Sequence, residues 1–265
     1  MYSVNYHRAA SVADAVEKAQ GGDAKFLSGG MTLIPAMKTR LAAPSDVIDL
    51  MHIPDLKGIK VSGNEVTIGA ATPHAEVAAN ETLRKLCPAI THLAAHIGDP
   101  HVRHRGTIGG SIANNDPAAD YPAAMLALGA TIVTNLREIP AEEFFTGLFE
   151  TALEEGEMVT AVRFTAPATA GYAKFPNPAS RYAVTGVFVV KDQNGVRAAV
   201  TGAGEDGVFR SQEIEAALAN KFDASALDGI QIPSDGLMSD IHASPEYRAN
   251  LIAVMAKRAV AAANG

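Results

Sequence analysis

Tryptophan is absent, aromatic residues make up only 6% of the 265 positions, and there is a single cysteine. That lone thiol, Cys87, excludes a disulfide within the chain and any cysteine-ligated iron–sulfur cluster built from this chain alone. It stands directly before Pro88 at a helix start and reads as a small buried hydrophobe, with no partner base to mark it as a nucleophile. The scarcity of large rings leaves the core to small and branched aliphatic side chains. Long apolar runs are lacking too. None approaches the ~20 residues that span a bilayer, and residues 1–8 lack the apolar centre of a signal peptide, so a cytoplasmic protein is expected. Basic charge is also in short supply. A net charge of −7 speaks against nucleic acid or an anionic membrane as the main partner, while leaving room for a local basic pocket.

What remains is an ordinary soluble composition, 48% apolar and 19% charged, long enough for one large domain or two modest ones. Ser11 opens a helix with an apolar stripe through Val12, Ala15, Val16 and Ala19, which Gly21-Gly22 ends. A strand at Lys25–Leu27, a glycine pair, a helix carrying Met37, Lys38 and Arg40, and a strand at Val47–Leu50 make a small βαβ unit with a parallel pair. Residues 65–71 alternate as a strand, and a helix runs from Pro88 to about His96. A long polar loop follows it. Ala123–Leu128 is then helical up to Gly129. Thr131–Val133 and Met158–Phe164 read as strands, the latter with Met158, Thr160, Val162 and Phe164 on one side. A composition shift at Ala166–Gly171 marks a linker. Beyond it come a hairpin, Tyr182–Val190 and Val196–Thr201 around Asn194-Gly195, and helices at about Ser211–Asn220 and Pro245–Ala263, the last with a stripe that includes the stem of Arg258.

Residues 101–122 are the most informative stretch. Gly106, Gly109 and Gly110 stand among Thr107, Ser111, Asn114, Asn115, Asp116 and Asp120. Glycines let backbone N–H groups come close to a ligand, and Asp120 with Pro122 reads as a helix N-cap and first turn. A loop of N–H groups leading into a helix is a phosphate-binding device. Ser28-Gly29-Gly30 is a second such loop, and two of them fit two clamps on one extended diphosphate ligand. Neither continues into Gly-Lys-Ser/Thr, so a nucleoside triphosphatase is not indicated.

Other motifs carry less. Gly202-Ala-Gly-Glu-Asp-Gly207 matches GxGxxG, but Val208–Arg210 separate it from the next helix and its two acids would repel a pyrophosphate, so it reads as a turn. His92 and His96 are at i, i+4, with His101 and His104 nearby. No carboxylate at ligand spacing accompanies them, and they read as helix-face and loop histidines rather than a metal site. Tyr182, at a strand entry, is either packing or a cover for a flat aromatic cofactor.

The two loops and their flanks, Ala24–Leu41 and Ile97–Asp120, resemble the flavin loops of the FAD-binding (medium) subunit of molybdenum hydroxylases, the xanthine dehydrogenase family. Within it, they look like the branch of the aerobic carbon monoxide dehydrogenase medium subunit. Lys174–Tyr182 and Pro245–Arg248 extend the resemblance over essentially the whole chain. It implies an α+β fold: a two-part FAD-binding domain of the p-cresol-methylhydroxylase type, residues 1–165 with subparts 1–57 and 58–165, then a small domain of three antiparallel strands and helices, residues 166–265. It places FAD against Lys25, Phe26, Leu27, Ser28, Gly29, Gly30, Met31, Thr32 and Leu33, and against Thr107, Ile108, Gly109, Gly110, Ser111 and Asn114, for the diphosphate and ribityl chain. Asp116 and Asp120 match positions near the ribityl and adenosine side, Lys174 one near the flavin, and Tyr182 one beside the isoalloxazine ring. Met158 and Val159 complete the set. Ser28 stands where alanine is common and Met31 where a polar residue is common, while His101 and His104 replace amide or aromatic residues.

The resemblance further implies an oxidoreductase subunit without a catalytic acid or base of its own. It would take electrons from two [2Fe–2S] clusters of a small partner subunit and pass them to an external acceptor, in a dimer of heterotrimers (a heterohexamer). Substrate would be oxidised at the molybdopterin of a large subunit, of a carbon monoxide dehydrogenase-like enzyme or an aldehyde or heterocycle dehydrogenase. The lone cysteine agrees, since the clusters must lie on another chain. The rival readings are a self-sufficient FAD-dependent reductase or oxidase, and a flavin-free assembly subunit.

Overall fold

The computed structural model describes residues 1–20 and 22–265. The chain begins β1 (Asn5–Arg8), α1 (Val12–Lys18), β2 (Ala24–Leu27), α2 (Leu33–Lys38) and β3 (Asp46–Asp49). These strands form a wholly parallel sheet in the order β1-β3-β2, as the βαβ spacing requires. Ser11 caps α1 by accepting from the Asp14 N–H, and the helix lays Ala15 on Ile48, Leu50 and Ile53. The expected terminator Gly21 lies outside the described residues. Arg40 falls beyond the end of α2, in a turn with φ +64°.

The middle of the chain continues with β4 (Ile59–Ser62), β5 (Glu65–Gly69), α3 (His74–Ala79), α4 (Glu81–Leu86), α5 (Pro88–Ala95), α6 (Pro100–Arg105), α7 (Ile108–Asn114) and α8 (Tyr121–Leu128). There follow β6 (Thr131–Thr134), β7 (Glu138–Pro140), α9 (Ala141–Phe144), β8 (Phe145–Gly147), β9 (Glu150–Thr151) and β10 (Val159–Thr165). An antiparallel sheet in the order β4-β5-β10-β6-β7 carries the helices. A register shift between Val159 and Ala161 breaks the expected one-sided alternation of β10. Val162 and Phe164 join the helix-covered core, while Met158 packs with the N-terminal parallel unit.

The expected long loop between α5 and α8 is largely helical. Asp99 caps α6 through the Val102 N–H, with Pro100 in the first turn, and Thr107 caps α7 through the Gly110 N–H. Gly109 and Gly110 thus sit in the first turn of a helix, not in an open loop. His101 and His104 lie on exposed positions of α6.

The C-terminal part comprises β11 (Thr169–Pro176), β12 (Ala183–Asp192), β13 (Gly195–Gly204), β14 (Gly207–Arg210), α10 (Gln212–Asn220) and α11 (Pro245–Asn264), with an antiparallel sheet in that strand order. The expected linker at 166–171 is therefore half strand, and a short fourth strand joins the three long ones. It pairs back through Gly204 and Gly207, so the GxGxxG match is indeed a turn. β12 is buried along eight consecutive residues because both faces are covered. Phe188 and Val190 pack with α8, and Val187 and Val189 with α11, the two-residue period of a strand. All of α8 is buried, as an all-round apolar helix must be: it lies between the middle sheet and the C-terminal one. Among the described residues, no helix is long and apolar enough to cross a membrane.

Candidate functional site

The two glycine loops meet. Gly29 is pressed against the end of α6, where a Cβ would lie 2.0 Å from the Arg105 carbonyl oxygen. Only glycine admits this approach. Beside it Ser28 Oγ and Thr107 Oγ1 share a hydrogen bond of 2.8 Å, and Thr107 Oγ1 also accepts from the Gly110 N–H. Gly30 turns the chain into α2 with φ +74°, a left-handed conformation that glycine adopts without strain.

The loops differ in what they offer. Among the described residues, the N–H groups of Ser28, Gly29, Gly30, Met31, Thr32 and Leu33 donate to no protein acceptor, and Thr32 makes no side-chain cap for α2. Consecutive unpaired donors leading into a helix form an anion cradle. In the second loop the Ile108 N–H donates to Thr72 O and the Gly109 N–H to Ala70 O at 2.9 Å. The expectation that these glycines present N–H groups to a ligand is corrected here: Gly109 is a contact point, whose Cβ would lie 2.4 Å from that of Ala70. The second loop instead presents half-buried Ser111 and Asn114.

A second cluster gathers at the far end of α7, about 10 Å away at 1.5 Å per residue. Asn115 takes a left-handed conformation, φ +42°, and its side-chain amide donates to the carbonyls of Gly147 and Glu150. This anchors the turn that delivers Asp116, which accepts from the Ala118 N–H and whose carboxyl is pushed up by burial. Asp120 does not cap α8 with its side chain. It is buried, accepts from the Tyr172 hydroxyl and pairs with Lys174 Nζ at 2.9 Å. Burial pushes its carboxyl up, against the opposing pull of Lys174 and Tyr172. Lys174 also donates to the Arg181 carbonyl, and the Asn177 N–H donates to Tyr182 O, so the turn before Tyr182 is held from both sides. The Tyr182 ring is 45% exposed, and its phenol is raised by burial and by the charges of Asp116 and Asp120. It lies near both carboxylates and is open to solvent in part.

The remaining expected site residues divide. Lys25, Met31 and Thr32 are exposed, and Phe26, Leu27 and Leu33 half-buried. Met158 and Val159 belong to packed cores, and the Met158 backbone is tied to Asn135. Cys87 is buried and its thiol pushed up to about 11 by burial, as a structural cysteine. The His92 and His96 rings lie 4.2 Å apart, tilted by 40°, with His96 Nδ1 bonded to the His92 carbonyl. Two residues were missed. Tyr172 holds Asp120, and its place in an alternating strand was hidden by the linker-like composition around it. His74 is buried at the second loop, where its N–H donates to Gly106 O; no neighbouring pattern in the sequence marks it. Among the described residues, its Nδ1 and the hydroxyl of nearby Tyr121 have no hydrogen-bond partner.

Comparison with known proteins gives this geometry a lineage. Residues 2–167 match the family described as the FAD binding domain in molybdopterin dehydrogenase. The chain is 36% identical over 275 residues to the carbon monoxide dehydrogenase medium chain of Afipia carboxidovorans, covering 97% of this chain and 96% of that one. It is 35% identical over 225 residues to the glyceraldehyde dehydrogenase medium chain of Sulfolobus acidocaldarius, covering 80% and 79%. Among solved structures it superposes on the reconstituted CO dehydrogenase from Oligotropha carboxidovorans with a TM-score of 0.88 at 34% identity, over 99% of this chain and 98% of that one. The cradle of free N–H groups, the paired loops and the exposed Tyr182 are thus features of a chain that belongs to the FAD-binding medium subunits of the molybdenum-containing dehydrogenases.

Proposed function

We propose that this chain carries FAD as the electron-transfer subunit of a molybdenum hydroxylase complex. It receives electrons from the [2Fe–2S] clusters of a small partner subunit and passes them to an external acceptor, while substrate is oxidised on a large molybdopterin subunit. The observation that carries the reading is the row of unpartnered N–H groups from Ser28 to Leu33, locked to the second loop by the Ser28–Thr107 hydrogen bond. Such a row fits a diphosphate, since consecutive N–H groups without a protein acceptor at the start of a helix favour an anion.

When bound, FAD supplies redox chemistry that no side chain of this protein can. The chain's own residues bind and orient. The N–H groups of 28–33 hold the diphosphate; Ser111 and Asn114 lie along its path, and Asp116 offers an acceptor to ribityl or ribose hydroxyls. Tyr182, fixed by Lys174 and Asn177, covers one face of the ring system. Met31 adds only its backbone. Residues 1–165, in subparts 1–57 and 58–165, form the flavin domain, and 166–265 the domain that presents Tyr182. A dimer of heterotrimers in the cytoplasm is the assembly this reading entails. The substrate of the large subunit is not written in this chain, as relatives of carbon monoxide and glyceraldehyde dehydrogenases show alike.

Purification of the chain alone tests this. A yellow protein with one FAD per chain and no turnover without partners is expected. Substrate turnover by the isolated chain would make it a self-sufficient reductase or oxidase, and a colourless protein that refuses FAD would make it an assembly subunit.

A further inference from the structure

A cavity of about 680 Å³ opens beside Lys174, between α5, the start of α6, β11, the turn at 176–181 and the last turns of α11. No residue of 28–33 or 107–114 lines it. Arg103, Arg181 and Arg258 do, with His92, His96 and Lys174. Of these only Lys174 has a carboxylate within ion-pair distance, Asp120, among the described residues. Arg103 donates to the carbonyls of Ile97 and Gly98 and Arg181 to that of Gly98, while Arg258 reaches no acceptor among the described residues. Arg103 and Arg181 converge on the Gly98 carbonyl and repel one another, with only Asp99 among the described residues close enough to Arg181 to feel its charge, in a chain that is otherwise acidic. An anion relieves that repulsion, and phosphate is the anion that guanidinium forks match best. The volume suits a ligand of nucleotide size. Pro176, Pro178 and Ala262 give it apolar walls, against which a flat ring can lie.

We propose that this cavity binds an organic phosphate of mononucleotide size, its phosphate on the guanidinium groups and its base on the proline wall, as a site separate from the diphosphate cradle. Because Lys174 lines the cavity and also holds Asp120 and the turn before Tyr182, occupancy is transmitted to the residues around Tyr182.

The test is calorimetric titration of AMP into the FAD-loaded full chain. One AMP per chain is expected. Arg258→Glu weakens binding at least tenfold and Arg258→Lys by less, with FAD content and melting temperature unchanged, since Arg258 is exposed on α11. Absence of AMP binding up to about 1 mM, or equal affinity in Arg258→Glu, overturns the proposal. So does AMP binding that appears only after FAD is removed, which would assign the cavity to the dinucleotide itself. If the purified chain holds no FAD, the same titration on the colourless protein still decides the cavity, and only the cradle reading falls.

Discussion

Gly29 is the residue at which the two glycine loops touch. The sequence displays a glycine pair and permits a close approach, but it does not say what approaches; the structure shows the backbone of Arg105 and Gly106. In Gly29→Ala the two loops must separate, and the donors of 28–33 leave register with the diphosphate. Loss of two hydrogen bonds to a charged group, at about 1.5 kcal/mol each, corresponds to about 100-fold weaker FAD binding, measurable by equilibrium titration with FAD fluorescence. Unchanged affinity would show that loop contact is irrelevant to the cradle. His74 was illegible for a different reason, since burial cannot be read from one histidine. It is 4% exposed, and burial lowers its imidazole from 6.5 to about 4. Between those values the unfolded chain binds a proton that the fold refuses. This contribution is therefore complete above pH 6.5 and is lost as the pH falls toward 4, by up to about 3 kcal/mol. Urea midpoints at pH 7 and pH 5 should converge in His74→Leu relative to the parent protein. Equal pH dependence in both proteins contradicts the assignment.

Elements with caps or strong periodicity were readable. Ser11, Ser211 and Ser244 each cap the helix expected after them, and the parallel unit and the Asn194-Gly195 hairpin follow their spacing. α6 and α7 were not, because periodicity needs length and burial. α6 spans six residues and buries none of them, while α7 buries Gly109 where a larger apolar residue would signal a helix. The caps Asp99 and Thr107 were the legible signals. Gly171 is the reverse case, since a glycine with linker-like neighbours in the sequence is the point where α11 crosses β11. A Cβ there would lie 1.9 Å from the Ala259 carbonyl oxygen. Overpacking of this kind costs about 3 kcal/mol, so Gly171→Ala should lower the melting temperature by about 6 °C or more, read by circular dichroism. An unaltered melting curve would mean that the helix can ride outward freely.

Across the whole molecule, the sharing of α8 by two sheets could not be anticipated, because a helix apolar on every side does not say which neighbours cover it. Asp120 stands at the head of that helix and joins it to β11 through Tyr172 and Lys174. Asp120→Asn leaves a buried ammonium without its counter-charge, a change that costs about 3–5 kcal/mol. Its urea midpoint should fall accordingly, and Lys174→Met in the same background should recover part of the loss. Failure of the second change to recover any stability would place the cost elsewhere than in the unpaired charge.

Under the proposed function, the N–H groups of Ser28 to Leu33 are an FAD diphosphate cradle. Amide hydrogen exchange with and without FAD measures those groups themselves. Fast exchange is expected at 28–33 in the FAD-free chain, with at least about tenfold slowing on saturation with FAD and little change across α11. Exchange at 28–33 that ignores FAD, while FAD remains bound, would contradict it.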